Sequence, residues 1–519
     1  MKKYLVLPFL ALFLTLTACA PAAVDAPGDP AAPAPEAGGE LVWVAWSDPV
    51  SMDPHAVNDT ASLYAINQVI ESLTFFEGPG QVGGLLATSF EHIDPYIWEF
   101  RLRQGVYFHD GEYFNAEAVR ISLERALYPG HPFPAQNIIN MIDEVVVIDD
   151  YTVHLVTAFP FSALPAHLTH NAAAIVSPAV IAAEAEEGRL LINENPIGTG
   201  PFIMYERFPG DSIVFVRNEN YWNGPAYLDR VIFRIVPEAA TRFLMLESGE
   251  GHLMLGLASD VPVVETIPQL DLISVYTTGI EYIGMNTQRG PLADRRVRQA
   301  ISMAVNRDDI IMGVAEGVHR LAQGPSASNV IYAPQGLEPL PFDLEAAREL
   351  LAETPYADGF SLEIWYNDGN ALRGRIAEIV QANLAELNID LTIHSFEWGA
   401  YLEATGVGDH DLFILGWTVR TGHSDWSLFP LYHSSNHGDQ GNRFFLTNPE
   451  LDVLLEQGRA STDSARSMEI YREAVEIILY EAPAIYLWHA NTPVISNGVV
   501  GAHFDSNVTP FLHRARMVN

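Results

Sequence analysis

The sequence predicts a mixed α/β protein with more than one lobe. The chain has 519 residues, and at roughly 100–200 residues per domain that leaves room for two or three domains. Apolar residues at 48% and aromatic residues at 10% are enough to build cores, which excludes wholesale disorder. Stretches with strand periodicity alternate with helical stripes at no fixed repeat, which excludes a solenoid or a propeller.

From the N-terminus, Lys2 and Lys3 form a short basic start and residues 4–16 are almost continuously apolar. That run is too short to span a bilayer, which takes about 20 residues, and has the length of a signal-peptide core. It ends at Leu16-Thr17-Ala18-Cys19, and Cys19 is the only cysteine. A lone cysteine is by default a small buried hydrophobe. Here the small residues before it resemble a bacterial lipobox, which implies that residues 1–19 are a lipoprotein signal and that Cys19 carries lipid. Disulfides then play no part. Residues 20–40, rich in Pro and Ala, read as a flexible linker, with folding expected from about residue 40.

Residues 41–46 read as a buried strand ended by Asp48-Pro49, and residues 97–102, 152–156, 212–217 and 231–236 read as further strands. Asn115 is placed to cap a helix with Val119, Leu123, Ala126 and Leu127 on one face. Residues 297–305 predict a helix, Asp343 a cap for residues 344–351, and Ile376, Ile379, Val380 and Leu384 one face of a long helix followed by a strand at 390–394. Met468, Tyr471, Val475, Ile478 and Leu479 repeat at three and four, a last helical stripe.

Charge and motifs exclude several functions. With 28 basic and 65 acidic residues the net charge is −37, wrong for neutralising nucleic-acid phosphates or adsorbing to anionic lipid. No apolar run reaches the length of a membrane-spanning helix. All basic residues after Lys3 are arginines or histidines, so a phosphate-loop GK[ST], a pyridoxal Schiff base and a lysine nucleophile are excluded. Residues 78–83 spell G-x-G-x-x-G, but Pro79 and the lack of a following helical pattern predict a hairpin turn instead. No G-x-S-x-G elbow occurs. His423, His433 and His437 are close in sequence but form no His-x-x-x-His helix and no Cys/His cluster, so no metal and no cofactor are expected. Arg373 and Arg375, after Asn367-Asp368-Gly369-Asn370, are expected on a solvated helix start.

The stretch from Trp98, WEFRLRQGVYFHDGEYFNAEAVRISLERAL, resembles a signature of the extracellular solute-binding proteins of family 5, the peptide/nickel-type receptors of ABC importers. NPIGTGPF from Asn195, RNENYW from Arg217, YIGMNTQRGPLADRRVRQAISMAVNRDDI from Tyr282, Gly416-Trp417 with the loop ending in YHSS, and Asn448-Pro449-Glu450-Leu451-Asp452 fit the same family in the same order. The resemblance implies a type II periplasmic-binding-protein fold with an extra α/β subdomain. Lobe I would take residues 41–286 plus 488–519, with the subdomain at about 76–195, and lobe II residues 287–487. The chain would cross a hinge near Asn286 and near Trp488.

It further implies a non-enzymatic receptor that captures a short peptide or peptide-like anionic solute between its lobes and delivers it to ABC permease and ATPase subunits. Through its lipid it would sit on the extracytoplasmic face of the cell membrane. By the same resemblance the loop after Trp417 lines the cleft, with Trp46, Tyr282, Trp417 and Trp426 as candidate walls and Asn286 and His423 as further contacts. Oligopeptide- and dipeptide-type receptors carry an Asp for the peptide's amino group where this chain has Arg420. An arginine cannot accept that bond but suits a carboxylate. Asp425 is then the candidate partner of an amino group. The TGHSDWSLFPLYHSS stretch is similar to the glutathione-type branch. A nickel or metallophore receptor and, more remotely, an exported lipoprotein hydrolase are the alternatives.

Overall fold

The computed structural model describes residues 38–131, 133–438 and 441–518; the signal segment, Cys19 and most of the linker lie outside the described residues. The strands foreseen in the sequence form at Glu40–Ala45, Ile97–Leu102, Thr152–Thr157, Ser212–Arg217 and Arg230–Ile235. Asn115 caps the helix Ala116–Leu127 by accepting the Ala118 N–H at 3.0 Å, and Asp343 caps Leu344–Ala352 through Ala346. The last long helix, Ser464–Glu481, buries Ile470, Tyr471, Ala474, Val475 and Ile478. Met468 falls off that face and is 40% exposed. Residues Thr74–Gly78 and Gln81–Gly84 pair as a hairpin around Pro79-Gly80.

One large mixed sheet runs through the molecule. Its path is 389–396, 360–367, 412–418, 270–285, 484–497, 253–255, 40–45, 230–235, 212–217, 202–208. The two long central strands, Leu270–Met285 and Ala484–Asn497, pair antiparallel along most of their length and carry the sheet from one lobe into the other. Their register breaks between Tyr276 and Ile280 and again between Glu281 and Tyr282. Around the first break Thr277 Oγ1 donates to the Ala490 carbonyl and accepts from the Gly279 N–H. A four-stranded antiparallel sheet, Ala87–Asp94, Ile97–Leu102, Thr152–Thr157 and Ile142–Asp149, forms the extra subdomain.

Burial follows the same division. One core joins Trp43, Phe202, Phe215 and Phe233. Phe100, Phe108, Phe114, Val119 and Leu123 fill the subdomain. In the second lobe Ile301, Ile364, Ile376 and Val380 belong to one cluster, and Tyr282, Phe413, Leu428 and Tyr471 to another. Among the described residues no helix is long and apolar enough to cross a membrane.

Two expectations are corrected. Residues after Trp417 do not stay a loop: Ser424–Tyr432 is helical, and His423 caps it by accepting the Asp425 N–H on Nδ1 at 3.0 Å. Arg373 is not solvated but 8% exposed, paired with Glu281 at 2.6 Å and bonded to Asn367. Its partner lies 92 residues away on the long central strand, beyond the reach of local pattern. Arg375 donates to the Val314 carbonyl.

The subdomain is fastened to the first lobe by a buried ionic cluster. Arg125 pairs with Asp53 at 2.6 Å and Glu184 at 2.7 Å, and Nη1 lies 2.7 Å from His55 Nδ1. His55 Nε2 donates to the Ala174 carbonyl, so Nδ1 is the acceptor and the ring is neutral. Removing one member of such a cluster strands buried charge at a cost of about 3–5 kcal/mol. Arg125→Met is therefore expected to lower the urea midpoint of the transition that unfolds the subdomain, followed by hydrogen exchange of residues 116–127.

Burial also lowers the basicity of His55, His167 and His489 to about 4, and of His410 and His423 to about 3. These rings stay neutral when folded, whereas the unfolded chain protonates them below about pH 6.5. Their contribution is complete above that pH and is lost as the pH falls toward the folded values, at about 1.4 kcal/mol per pH unit for each ring. The melting temperature is expected to be lower at pH 4.5 than at pH 7; equal values in scanning calorimetry would contradict neutral burial.

Candidate functional site

Three of the sequence signatures meet at one buried carboxylate. Glu71, 7% exposed, follows the helix Thr60–Ile66. Its Oε2 accepts from Thr199 Oγ1 at 2.7 Å and Trp222 Nε1 at 2.9 Å, and its Oε1 from the Tyr221 hydroxyl at 2.8 Å. Thr199 comes from NPIGTGPF, and Tyr221 and Trp222 from RNENYW. The glycines of the first motif let its backbone lie against residues 68–70. A Cβ on Gly198 would collide with the Val69 carbonyl oxygen, and one on Gly200 would come within 2.7 Å of Val69. His109 of the third signature donates from Nε2 to the Gly200 carbonyl, and Asn218 donates to the same oxygen. Burial raises the Glu71 carboxyl against the opposing effect of its three donors.

This assembly forms part of the wall of a cavity of about 380 Å³, within the range of about 300–1,000 Å³ typical of small-molecule pockets. Tyr64, Asn67 and Gln68 come from the helix Thr60–Ile66 and the turn after it, Phe76 from the hairpin, His170 and Asn171 from the subdomain, and Asp505 and Asn507 from the C-terminal segment. Arg103, stacked over Trp222 at 4.1 Å, lines it as well. The second lobe contributes Arg420.

Arg420 is half-buried and has no ion pair among the described residues. Burial pulls its guanidinium below the usual value, with Tyr64 and Asp59 acting the other way. Its carbonyl accepts from Asn507 Nδ2 at 3.0 Å, which ties the two lobes beside the cavity. Gly422, two residues on, faces the Phe76 ring so closely that a Cβ would lie 2.7 Å from it. Of the cavity's acids, Glu71 and Asp505 already have donors, whereas Glu77 is exposed. Asp505 Oδ1 accepts the N–H groups of Asn507 and Thr509 at 2.8 Å each, and burial pushes the carboxyl up to about 6.

Of the eight ligand contacts expected from sequence, Arg420 lines this cavity. Trp46 stands behind its wall, edge-on to Tyr64 with ring centres 5.6 Å apart. Tyr282 is 1% exposed in the second lobe's core, between Phe413 and Phe444. Asn286 donates to the Gly408 carbonyl at the end of its strand. His423 is 3% exposed and occupied as a helix cap.

Asp425 is 1% exposed and pairs with Arg459 at 2.8 Å. Trp417 donates to the Trp426 carbonyl, and Trp426 packs on the subdomain's core and stands edge-on to His167. Asp425, Trp426 and Arg459 therefore belong to a lobe-to-subdomain contact. There Ser162 donates twice to the Arg459 carbonyl, and the Arg459 guanidinium covers Phe429 and Phe159. The histidines weighed for metal are dispersed: His433 faces Ser435 and Glu456, and His437 bonds to the Leu446 carbonyl. Among the described residues no group of three or more metal-ligating side chains is assembled.

Sequence reading missed Tyr64, Glu71, Arg103, His170, Asn171 and Asn507. One signal was available for two of them: His170-Asn171 interrupts an otherwise apolar stretch between Leu164 and Val176.

The profile of the bacterial extracellular solute-binding proteins, family 5 Middle, matches residues 81–439. The glutathione-binding protein GsiB of Pectobacterium atrosepticum is 31% identical over 446 residues, 84% of this chain and 86% of the relative. HbpA2 of Haemophilus parasuis has the same fold at a TM-score of 0.86 and 28% identity, covering 92% of this chain and all 100% of that one. The periplasmic binding protein DppA of Helicobacter pylori, solved with the peptide STSA, gives 0.78 and 28%, covering 93% and 99%. On the profile match and the 31% identity to the glutathione-binding protein, the chain belongs to the bacterial extracellular solute-binding proteins of family 5.

Proposed function

We propose that this chain is the capturing receptor of an ABC importer, and that its cargo is a short peptide or peptide-like anionic solute held in the cavity beside Arg420. Arg420 carries the reading. It is a guanidinium from the second lobe without a carboxylate partner among the described residues, facing a cavity whose other walls belong to the first lobe and its subdomain. A planar guanidinium is suited to bidentate carboxylate recognition. A glutathione-binding protein among the relatives supports an acidic peptide as cargo.

The proposed mechanism involves no covalent step. Contacts between cargo and Arg420 exist only when the lobes are shut, so cargo shifts an open–closed equilibrium. Moving it from 1:99 to 99:1 takes about 5.5 kcal/mol. Charge-assisted hydrogen bonds of about 1.5–3 kcal/mol each can supply much of that. In place of the crossings near Asn286 and Trp488 that the family resemblance implied, we set the hinge at the register break of Tyr276–Ile280 and at its partners His489 and Asn491, with the first lobe before and the second, including residues 280–286, beyond. The shut form is what permease and ATPase partners would meet. On the reading of residues 1–19, the receptor is moored to the outer face of the membrane by lipid on Cys19.

In a thermal-shift panel of di- to pentapeptides, glutathione and nickel chelates, an acidic peptide at 100 times its dissociation constant is expected to add about 2.7 kcal/mol of stability. A shift by nickel chelates alone would replace the cargo assignment. Arg420→Ala is expected to weaken such a ligand tenfold or more by calorimetry while the empty protein melts almost as before. Cys19→Ala is expected to release the protein from the membrane fraction, read by detergent partition and by loss of labelled fatty acid.

A further inference from the structure

Two buried donors in the cavity wall are left without partners. His170 is 5% and Asn171 4% exposed, and both line the cavity. His170 Nδ1 accepts the Ala172 N–H at 3.1 Å, so the ring proton sits on Nε2. Nε2 has no hydrogen-bond partner among the described residues, and neither has Asn171 Nδ2. Buried polar groups are almost always satisfied, so adjacent orphaned donors mark a place that something else completes. Burial and the nearby Arg420 charge keep His170 neutral, lowering its basicity to about 3. None of the three carboxylates lining the cavity, Glu71, Glu77 and Asp505, accepts a hydrogen bond from these groups. Glu71 already holds three donors, and Asp505 two main-chain N–H groups.

We propose that His170 Nε2 and Asn171 Nδ2, with the Arg420 guanidinium, clamp one carboxylate of the cargo. The inference rests on the receptor reading above and adds which end of the cargo is read and by what. The three groups come from two bodies: His170 and Asn171 lie on the subdomain, Arg420 on the second lobe. A carboxylate has lone pairs enough for all three donors. Bound there, it bridges the bodies, so the same contact selects an acid and favours the shut form.

The test is titration calorimetry on the full chain with Ala-Ala-Ala, its C-terminal amide, glutathione and glutathione diethyl ester. The acids are expected to bind at least tenfold more tightly than the amide and ester. Glutathione against the tripeptide tells whether the α-carboxylate of a γ-glutamyl residue or only the C-terminal carboxylate is read. Asn171→Asp is nearly isosteric and tethers a carboxylate beside Arg420, so it is expected to abolish the preference for the acid. His170→Gln, which keeps a donor, is expected to retain more of the preference than His170→Phe. Equal binding of acids and their neutral forms by the natural chain would overturn the clamp and leave the receptor reading standing, as would an unchanged preference in Asn171→Asp. No binding by any of the four would overturn both.

Discussion

The ladder between Leu270–Met285 and Ala484–Asn497 is the constraint on which the rest of the molecule depends. Both strands are needed to make one sheet of two lobes, and both run through the lobe boundary. Below the break the ladder pairs Leu270 to Tyr276 with Asn497 to Asn491, and beyond it Tyr282 to Gly284 with Tyr486 to Ala484. A bend at Thr277–Gly279 leaves either ladder whole, because the local polar groups are already served by Thr277. On the proposed mechanism each lobe would keep its own core while its orientation changes.

The chain's few basic groups are used sparingly. Against a net charge of −37, several half-buried or buried arginines act as fasteners. Arg125 joins subdomain to first lobe, Arg298 holds Glu481, Arg373 holds Glu281, and Arg459 holds Asp425. Each has a carboxylate matched to it. Arg420 differs in having none among the described residues. Arg103, which lines the same cavity and donates to the Leu85 carbonyl, likewise has no ion pair among the described residues, and the two guanidiniums give the site its chemical character.

Local signals explain how much of this was legible in the sequence. Strands at 97–102 and 212–217 and the helices capped by Asn115 and Asp343 follow from alternation and caps, which act within a few residues. The helix at Ser424 was not legible, because its cap is a histidine and Pro430 lies inside it. Arg420 could be singled out by its place after Trp417. Its cavity could not, since the walls come from segments near residues 64, 103, 170, 222 and 507. The signature motifs themselves turned out to hold the Glu71 wall in place, with Tyr221 and Trp222 forming part of it. NPIGTGPF and RNENYW brace a carboxylate and a close backbone approach, so their residue types report scaffolding more directly than cargo.

Ser162 and Arg459 meet at a distance from the cavity, across the gap between subdomain and second lobe. On the proposed mechanism such a contact would set how often the empty receptor is found shut, and a ligand's apparent affinity scales with that resting fraction. Strengthening or loosening it would raise or lower the affinity for every solute by one common factor. Sensitivity to scarce nutrients and discrimination among them are thereby housed in different residues, and could drift independently over evolutionary time.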